Sequence, residues 1–105
     1  MNKVVLIGRL TRDPELRYTA NGENKAVAKG RIAVPKRNRE EADFFDLECW
    51  NSTAEFFNKY FKKGTKIALS GSLKDNSYND DNGVHHRSIV VVVEEVEFAE
   101  SKPSA

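Results

Sequence analysis

The sequence has one cysteine, one tryptophan and no long run of apolar residues. A single cysteine, Cys49, excludes an internal disulfide bond and is typical of a protein in a reducing compartment. No stretch approaches the roughly 18 apolar residues that a membrane helix needs. The apolar run near the N-terminus, Val4–Ile7, is also too short for the core of a signal peptide. These absences predict a cytoplasmic protein that does not cross a membrane.

Residues that could support catalysis or metal binding are equally scarce. His85 and His86 are adjacent, so in a strand they would point to opposite faces, whereas a metal site needs three or four converging ligands. Cys49 has no histidine or carboxylate placed to activate it as a nucleophile. Three nearby aspartates lack the spacing of a calcium loop and are interpreted as solvating a hairpin: Asp75, Asp80 and Asp81. The sequence therefore predicts no enzyme activity, no metal and no cofactor.

The chain has a length of 105 residues, which suits one domain with one core. Its net charge is only +1, but the two signs are unevenly distributed. Residues 1–39 hold ten Lys/Arg against three acids, a net charge of +7, whereas residues 40–105 hold seven against thirteen, a net charge of −6. A basic half is typical of proteins that bind a polyanion, unless the two halves interleave in space and their fields cancel.

The octet Asp43–Trp50 predicts a strand with two different faces. Alternation places Phe45, Leu47 and Cys49 on an apolar face that suits the core. The opposite face carries two aromatics and two carboxylates: Phe44, Asp46, Glu48 and Trp50. Carboxylates favour contact with water, and large aromatics on a solvated sheet face favour stacking with nucleic-acid bases. The alternative is that a loop or a second subunit covers these aromatics.

The rest of the chain predicts further strands and one helix. Strands are predicted by alternation, or by a short run between turn formers, at residues 2–10, 15–19, 25–34, 66–74 and about 84–98. Residues 52–61 predict a helix, because Ser52 and Glu55 fit a capping box and Gly64 fits the left-handed residue that ends a helix. Its aromatic stripe is predicted to face the core: Phe56, Phe57, Tyr60 and Phe61.

The first of these strands is apolar on both faces. Val4, Leu6 and Leu10 can fill one face, while Val5 and Ile7 point the other way. In a small antiparallel domain, burial on both faces indicates contact with a second chain. Val5 and Ile7 are therefore predicted to lie in an oligomer interface.

The order of these elements predicts an all-β fold with one helix. Without the short segment at residues 15–19, the helix lies between the third and fourth of five strands, an order that is typical of the OB-fold. This Greek-key barrel binds oligonucleotides on its sheet face and through its loops. We expect one such domain over residues 1–98, followed by a disordered C-terminal tail remnant at residues 99–105.

The N-terminal segment Asn2–Tyr18 resembles the opening of bacterial-type single-stranded DNA-binding proteins. The similarity continues, in order and spacing, through Ile32–Val34, Asp43–Phe45, Cys49–Trp50, Ala54–Glu55, Lys63–Gly64, Gly71–Leu73 and Tyr78 before Gly83. It covers residues 2 to about 98. The resemblance implies an OB-fold that binds and protects single-stranded DNA in replication, recombination and repair, without sequence preference and usually as a homotetramer.

The resemblance also implies which residues contact DNA. The family's stacking aromatics lie on the third strand and in the hairpin between the fourth and fifth strands, and by position these are Phe44, Trp50 and Tyr78. A further aromatic often follows the second strand, but Pro35–Arg39 is basic here and favours phosphate contact. Because Asp46 and Glu48 oppose phosphate beside the aromatics, the backbone is predicted to follow other cations. These cations are Lys29, Arg31, Lys36, Arg37, Arg39, Lys66 and Lys74.

Two positions depart from the family pattern. Gly30 stands where an apolar residue is common, which predicts a bulge or a close approach. The family's long tail, whose acidic tip recruits replication and repair enzymes, is missing after Ala105. This indicates a truncated chain or a short phage or plasmid form, acting in a bacterial or host cytoplasm, and recruitment through such a tip is not expected. The alternative function is a protein-interaction barrel whose exposed aromatics contact a partner chain. A small hydrolase is disfavoured by the missing catalytic groups.

Overall fold

The computed structural model describes residues 1–20 and 22–100. Within these residues, the structure has eight strands and one helix. In chain order the elements are β1 (Val4–Leu10), β2 (Glu15–Tyr18), β3 (Ala26–Pro35), β4 (Ala42–Trp50), α1 (Asn51–Tyr60), β5 (Lys66–Asp75), β6 (Tyr78–Asn79), β7 (His85–His86) and β8 (Ile89–Phe98).

Six strands form one sheet in the order β1-β5-β8-β4-β3-β2, and pairing between β1 and β3 closes it into a barrel. The closure is short, with Arg9 opposite Ala33 and Leu10 opposite Ile32. Neighbouring strands are antiparallel except β4 and β8, which are parallel. The long strands β1, β3, β4, β5 and β8 are the five barrel strands, and α1 lies between the third and fourth of them. The predicted OB-fold is therefore confirmed.

The core lies inside the barrel and beneath α1. Inward residues of β3 and β4 are fully buried where they alternate along each strand: Ala28, Ile32, Leu47 and Cys49. The helix adds Phe57, whose ring stacks at 5.7 Å on that of Phe61, the residue directly after the helix. Phe61 in turn stacks on Phe98 of β8 at 4.5 Å. The prediction for the other half of the helical stripe is wrong, because Phe56 and Tyr60 are exposed. The four aromatics span more of the helix circumference than the barrel covers.

Gly30 makes room for this helix. A Cβ atom at Gly30 would lie 3.0 Å from the ring of Phe57, which is closer than side chains normally approach. The pairing of β3 with β4 runs regularly through Gly30, which lies opposite Leu47. Of the two predicted alternatives, the structure therefore shows a close approach and not a bulge.

The ends of α1 differ from the sequence prediction. The capping box is wrong: the helix begins at Asn51, and its N-cap Trp50 makes no side-chain capping hydrogen bond. Asn51 has a φ of 55°, a left-handed conformation that asparagine tolerates better than most residues. Gly64 does have a left-handed φ of 87°, but it lies in the turn after the helix, which ends at Tyr60.

The predicted last strand is interrupted. Residues 87 and 88 separate β7 from β8, and β7 pairs only with β6 in a hairpin of its own. After β8, the amide of Ala99 donates a hydrogen bond to the carbonyl of Lys66 at 3.0 Å. Residues 101–105 of the predicted tail lie outside the described residues. Over the described ranges, 1–20 and 22–100, no helix has the length and apolar character needed to span a bilayer.

Candidate nucleic-acid interface

Phe44 lies near the start of β4 on the outer face of the sheet, and its ring is exposed as alternation predicts. The guanidinium carbon of Arg31, on the neighbouring strand β3, lies 5.2 Å from the ring centroid. Arg31 also pairs with Asp46 at 3.7 Å. An aromatic ring with a cation beside it can stack on a base while the cation meets a phosphate.

Trp50 is the last residue of β4 and is half-buried. Its indole Nε1 donates a hydrogen bond of 2.6 Å to Oε1 of Glu48, two residues earlier on the same face. The ammonium group of Lys74, on β5, lies 6.0 Å from the indole centroid. Trp50 thus presents part of a large ring on the same outer face as Phe44.

Glu48 corrects one sequence expectation. Alternation placed it on a solvated face, but it is only 6% exposed. Its Oε1 accepts hydrogen bonds from Trp50 and from Nζ of Lys74, the latter at 3.1 Å. A second correction concerns Phe45, which was assigned to the core face and is partly exposed near the end of the barrel. Both differences arise because strands β5 and β8, which lie far away in the sequence, determine what covers each position.

Tyr78 lies on β6, and its ring is exposed. Its cross-strand partner His86 stacks on it, with centroids 4.9 Å apart and an interplanar angle of 15°. Nε2 of His86 lies 2.9 Å from Oδ2 of Asp80. Hydrogen bonds from His86, from the Val84 amide and from the Asn82 amide hold the pKa of Asp80 below its ordinary value. This two-ring stack was not predicted from the sequence, because alternation does not set the register of a nine-residue hairpin.

A basic groove of about 880 Å³ runs between β1 and the β3–β4 loop. The cations that line this basic groove are Arg9, Lys36, Arg37, Arg39 and Lys66. Four of these were predicted as phosphate contacts, and Phe44 lines the same groove. Arg9 was missed, although its place in the basic half and on the outer face of β1 could have indicated it. Arg9 donates two hydrogen bonds to the carboxylate of Glu100, at 2.8 and 3.1 Å.

The other predicted cations lie outside this groove. Lys29 is exposed on β3 opposite Glu48 of β4, and Arg31 and Lys74 lie beside Phe44 and Trp50. The basic and acidic halves of the chain do interleave, as the alternative interpretation proposed, in four ion pairs among the described residues. These pairs are Lys3–Glu94, Arg9–Glu100, Arg31–Asp46 and Lys36–Asp43. Over residues 1–20 and 22–100, no ion pair is formed by Lys29, Arg37, Arg39 or Lys66.

Cys49 is fully buried between Leu47 and the helix. Burial, and to a smaller extent the charge of Glu48, raise the pKa of its thiol to about 12. The thiolate that a nucleophile requires is therefore absent near neutral pH. The structure supports the interpretation of Cys49 as an inert core residue.

Val5 and Ile7 project from the outer face of β1 and are exposed. Their partners on β5 are Ser70 and Ala68, which carry the same outer surface onto the next strand. Val5 also lines a second groove, of about 630 Å³, together with Phe56 of the helix. Val5 thus lies in the second groove, whereas Ile7 lines the basic groove together with Phe44.

Comparison with known proteins agrees with this geometry. The model of the single-strand binding protein family matches residues 1–99. A single-stranded DNA-binding protein of Clostridium perfringens is 43% identical over 102 residues, covering 96% of this chain and 67% of the relative. One of Fusobacterium nucleatum is 42% identical over 112 residues, covering 100% of this chain and 71% of the relative. With this match across the whole barrel, the chain belongs to the single-strand binding protein family.

Proposed function

We propose that this protein binds single-stranded DNA without sequence preference, by stacking bases on Phe44, Trp50 and Tyr78 while cations neutralise the phosphates. The observation that carries the proposal is the position of Phe44. Its exposed ring belongs both to the aromatic face of β4 and to the wall of the basic groove. A strand that stacks a base there brings its backbone to Lys36, Arg37 and Arg39. Such binding would protect single strands in replication, recombination and repair.

The aromatic residues account for the choice of single strands. Every base has a π-face, so stacking on Trp50 or Phe44 favours any exposed base and does not distinguish sequences. In a duplex the bases are already stacked on one another and cannot reach these rings. β8 runs parallel to β4 and antiparallel to β5, and its first residue, Ile89, pairs with Asp75 at the end of β5. The β6–β7 hairpin connects these two strand ends, at the end of the sheet where β4 begins. This position supports a role for Tyr78 in extending the proposed stacking surface past Phe44.

The cations account for affinity. We assign phosphate contact to the predicted set Lys29, Arg31, Lys36, Arg37, Arg39, Lys66 and Lys74, and add Arg9. Neutralising phosphates releases condensed counterions, which favours binding at low salt. Asp46 and Asp43 are paired with Arg31 and Lys36, so their repulsion of phosphate is already reduced in the free protein.

Titration with oligo-dT tests the proposal directly. Trp50 is the only tryptophan, so its fluorescence reports on one proposed stacking site. We expect quenching that saturates at stoichiometric DNA, and little response to duplex DNA of the same length. An unchanged emission, with no DNA bound in a parallel gel-shift assay, would refute DNA binding and favour a protein-interaction barrel.

The salt dependence of binding should identify the phosphate contacts. Log affinity should fall linearly with log salt, by about 0.7 for each phosphate neutralised on a single strand. The double variant Arg37→Gln with Arg39→Gln should reduce this slope by about 1.4, because both side chains lie in the basic groove. Lys62→Gln with Lys63→Gln, two exposed cations after the helix, removes the same charge and should leave the slope unchanged. Equal slopes for the two double variants would contradict the assignment of the groove.

We further propose that the protein is an oligomer, a tetramer by analogy with the family, assembled through the outer face of β1. Val5 and Ile7 are exposed there, and residues 4–8 of β1 have one edge that no strand pairs with in the described part of the chain. Val5→Lys with Ile7→Glu should therefore weaken assembly, measured by light scattering. The matched control is Val84→Lys with Ile89→Glu, which also changes two exposed apolar residues. A wild-type mass of 11.9 kDa at micromolar concentration would refute the oligomer.

We propose that residues 1–98 form the DNA-binding domain and that the protein acts in the cytoplasm. The location in a reducing compartment is proposed from the single cysteine, which cannot form an internal disulfide bond.

A further inference from the structure

Glu48 is a buried carboxylate on a sheet face that otherwise meets water. It is 6% exposed, whereas Asp46, two residues earlier on the same face, is exposed. A single oxygen, Oε1, accepts hydrogen bonds from the indole Nε1 of Trp50 at 2.6 Å and from Nζ of Lys74 at 3.1 Å. The carboxylate therefore connects a proposed stacking ring on β4 to a cation on β5, across the intervening strand β8.

Stability alone does not account for this arrangement. Removing a carboxylate from water is unfavourable, and buried ion pairs can often be replaced by apolar residues without loss of stability. The ionic group therefore points to a role beyond packing.

Trp50 needs such a partner because of its position in the chain. Asn51, with its φ of 55°, turns the backbone out of β4 and into α1 immediately after Trp50. No further residue of β4 follows to pack against the far side of the indole. Its backbone partner on β3 is Val27, whose side chain is smaller than the ring. The hydrogen bond from the indole to Glu48 is a directional contact that restrains rotation of the ring about its χ angles.

We propose that Glu48 is a positioning residue that holds the indole of Trp50 ready to accept a base, with Lys74 neutralising the carboxylate. The consequence for DNA affinity rests on the proposed function. A side chain that is ordered before binding loses less conformational entropy when the base arrives. Glu48 thus favours DNA binding despite its negative charge.

The first test uses the free protein and the single tryptophan. Glu48→Leu removes the acceptor, and the fast component of Trp50 fluorescence anisotropy decay should grow because the ring gains local motion. Glu48→Gln keeps an Oε1 acceptor for the indole N–H and should restore wild-type anisotropy. In the wild-type protein, the indole N–H proton should exchange with solvent much more slowly than in free tryptophan.

The second test measures affinity for fluorescently labelled oligo-dT, and Asp46→Leu is the matched control. Both leucine variants remove one carboxylate from the same face, so electrostatics alone predicts that both bind DNA as tightly as wild type or more tightly. If Glu48 positions the ring, its replacement should weaken DNA binding, whereas replacement of Asp46 should not. Glu48→Leu should lose about twofold to tenfold in affinity, the range for one hydrogen bond, while Asp46→Leu should lose none.

Each outcome decides the proposal. Wild-type anisotropy and undiminished affinity in Glu48→Leu would overturn it. Rapid exchange of the indole proton in the wild-type protein would also overturn it, and this measurement does not depend on the folding of any variant. Equal losses of affinity in Glu48→Leu and Asp46→Leu would also overturn it. If the wild-type protein itself failed to bind oligo-dT, DNA binding would be refuted, and anisotropy and proton exchange would still decide whether Glu48 holds the ring.

Discussion

Phe57→Ala is expected to lower the free energy of unfolding by about 3–5 kcal/mol, the usual loss when a buried phenylalanine is truncated. The ring is 0% exposed, stacks on Phe61 at 5.7 Å and fills the space left by Gly30. Its removal leaves a cavity between the helix and β3 that these neighbours cannot fill. Urea unfolding followed by far-UV circular dichroism, at one fixed protein concentration, measures the loss.

The adjacent residue provides the control for this prediction. Phe56 has the same side chain but is 42% exposed. Phe56→Ala should cost less, because a large part of the removed surface is already in water and no closed cavity is left behind. A similar loss for both variants would mean that the helix does not use one face to pack on the barrel.

Trp50→Ala is expected to reduce affinity for single-stranded DNA by about 1–3 kcal/mol, roughly fivefold to 150-fold, the range for one base–aromatic stack. Phe44→Ala and Tyr78→Ala should have losses of similar size. Binding is measured by the anisotropy of a labelled oligonucleotide, since Trp50→Ala removes the intrinsic probe. All three variants should fold, because none of these rings belongs to the buried core.

Tyr18 provides a matched control for Tyr78. The two tyrosines are 57% and 56% exposed, but Tyr18 lies on β2, where its hydroxyl contacts Glu55 of the helix. Tyr18→Ala should leave affinity unchanged if stacking is confined to the proposed face. If a folded Trp50→Ala protein bound DNA with wild-type affinity, Trp50 would not be part of the interface. If Trp50→Ala were unfolded, Trp50 would have to be assigned to the core.

The sequence determined most of the barrel, because alternation is a local property of each strand. Residues two apart share a face whatever the neighbouring strands are, so Phe44 and Trp50 could be placed together, as could Val5 and Ile7. The resemblance added Tyr78, which no periodicity identifies. The element order, with one helix after the third long strand, was enough to predict the fold.

Coverage of each face was decided by the tertiary structure alone. Glu48 has the alternation of a solvated residue, but Lys74 arrives from a strand 26 positions away and pairs with it. Phe56 and Phe57 are equally apolar neighbours, but only Phe57 meets the opening that Gly30 leaves on β3. The direction of a side chain follows from the φ and ψ of its own element, whereas its surroundings depend on strands and helices brought together only when the barrel closes.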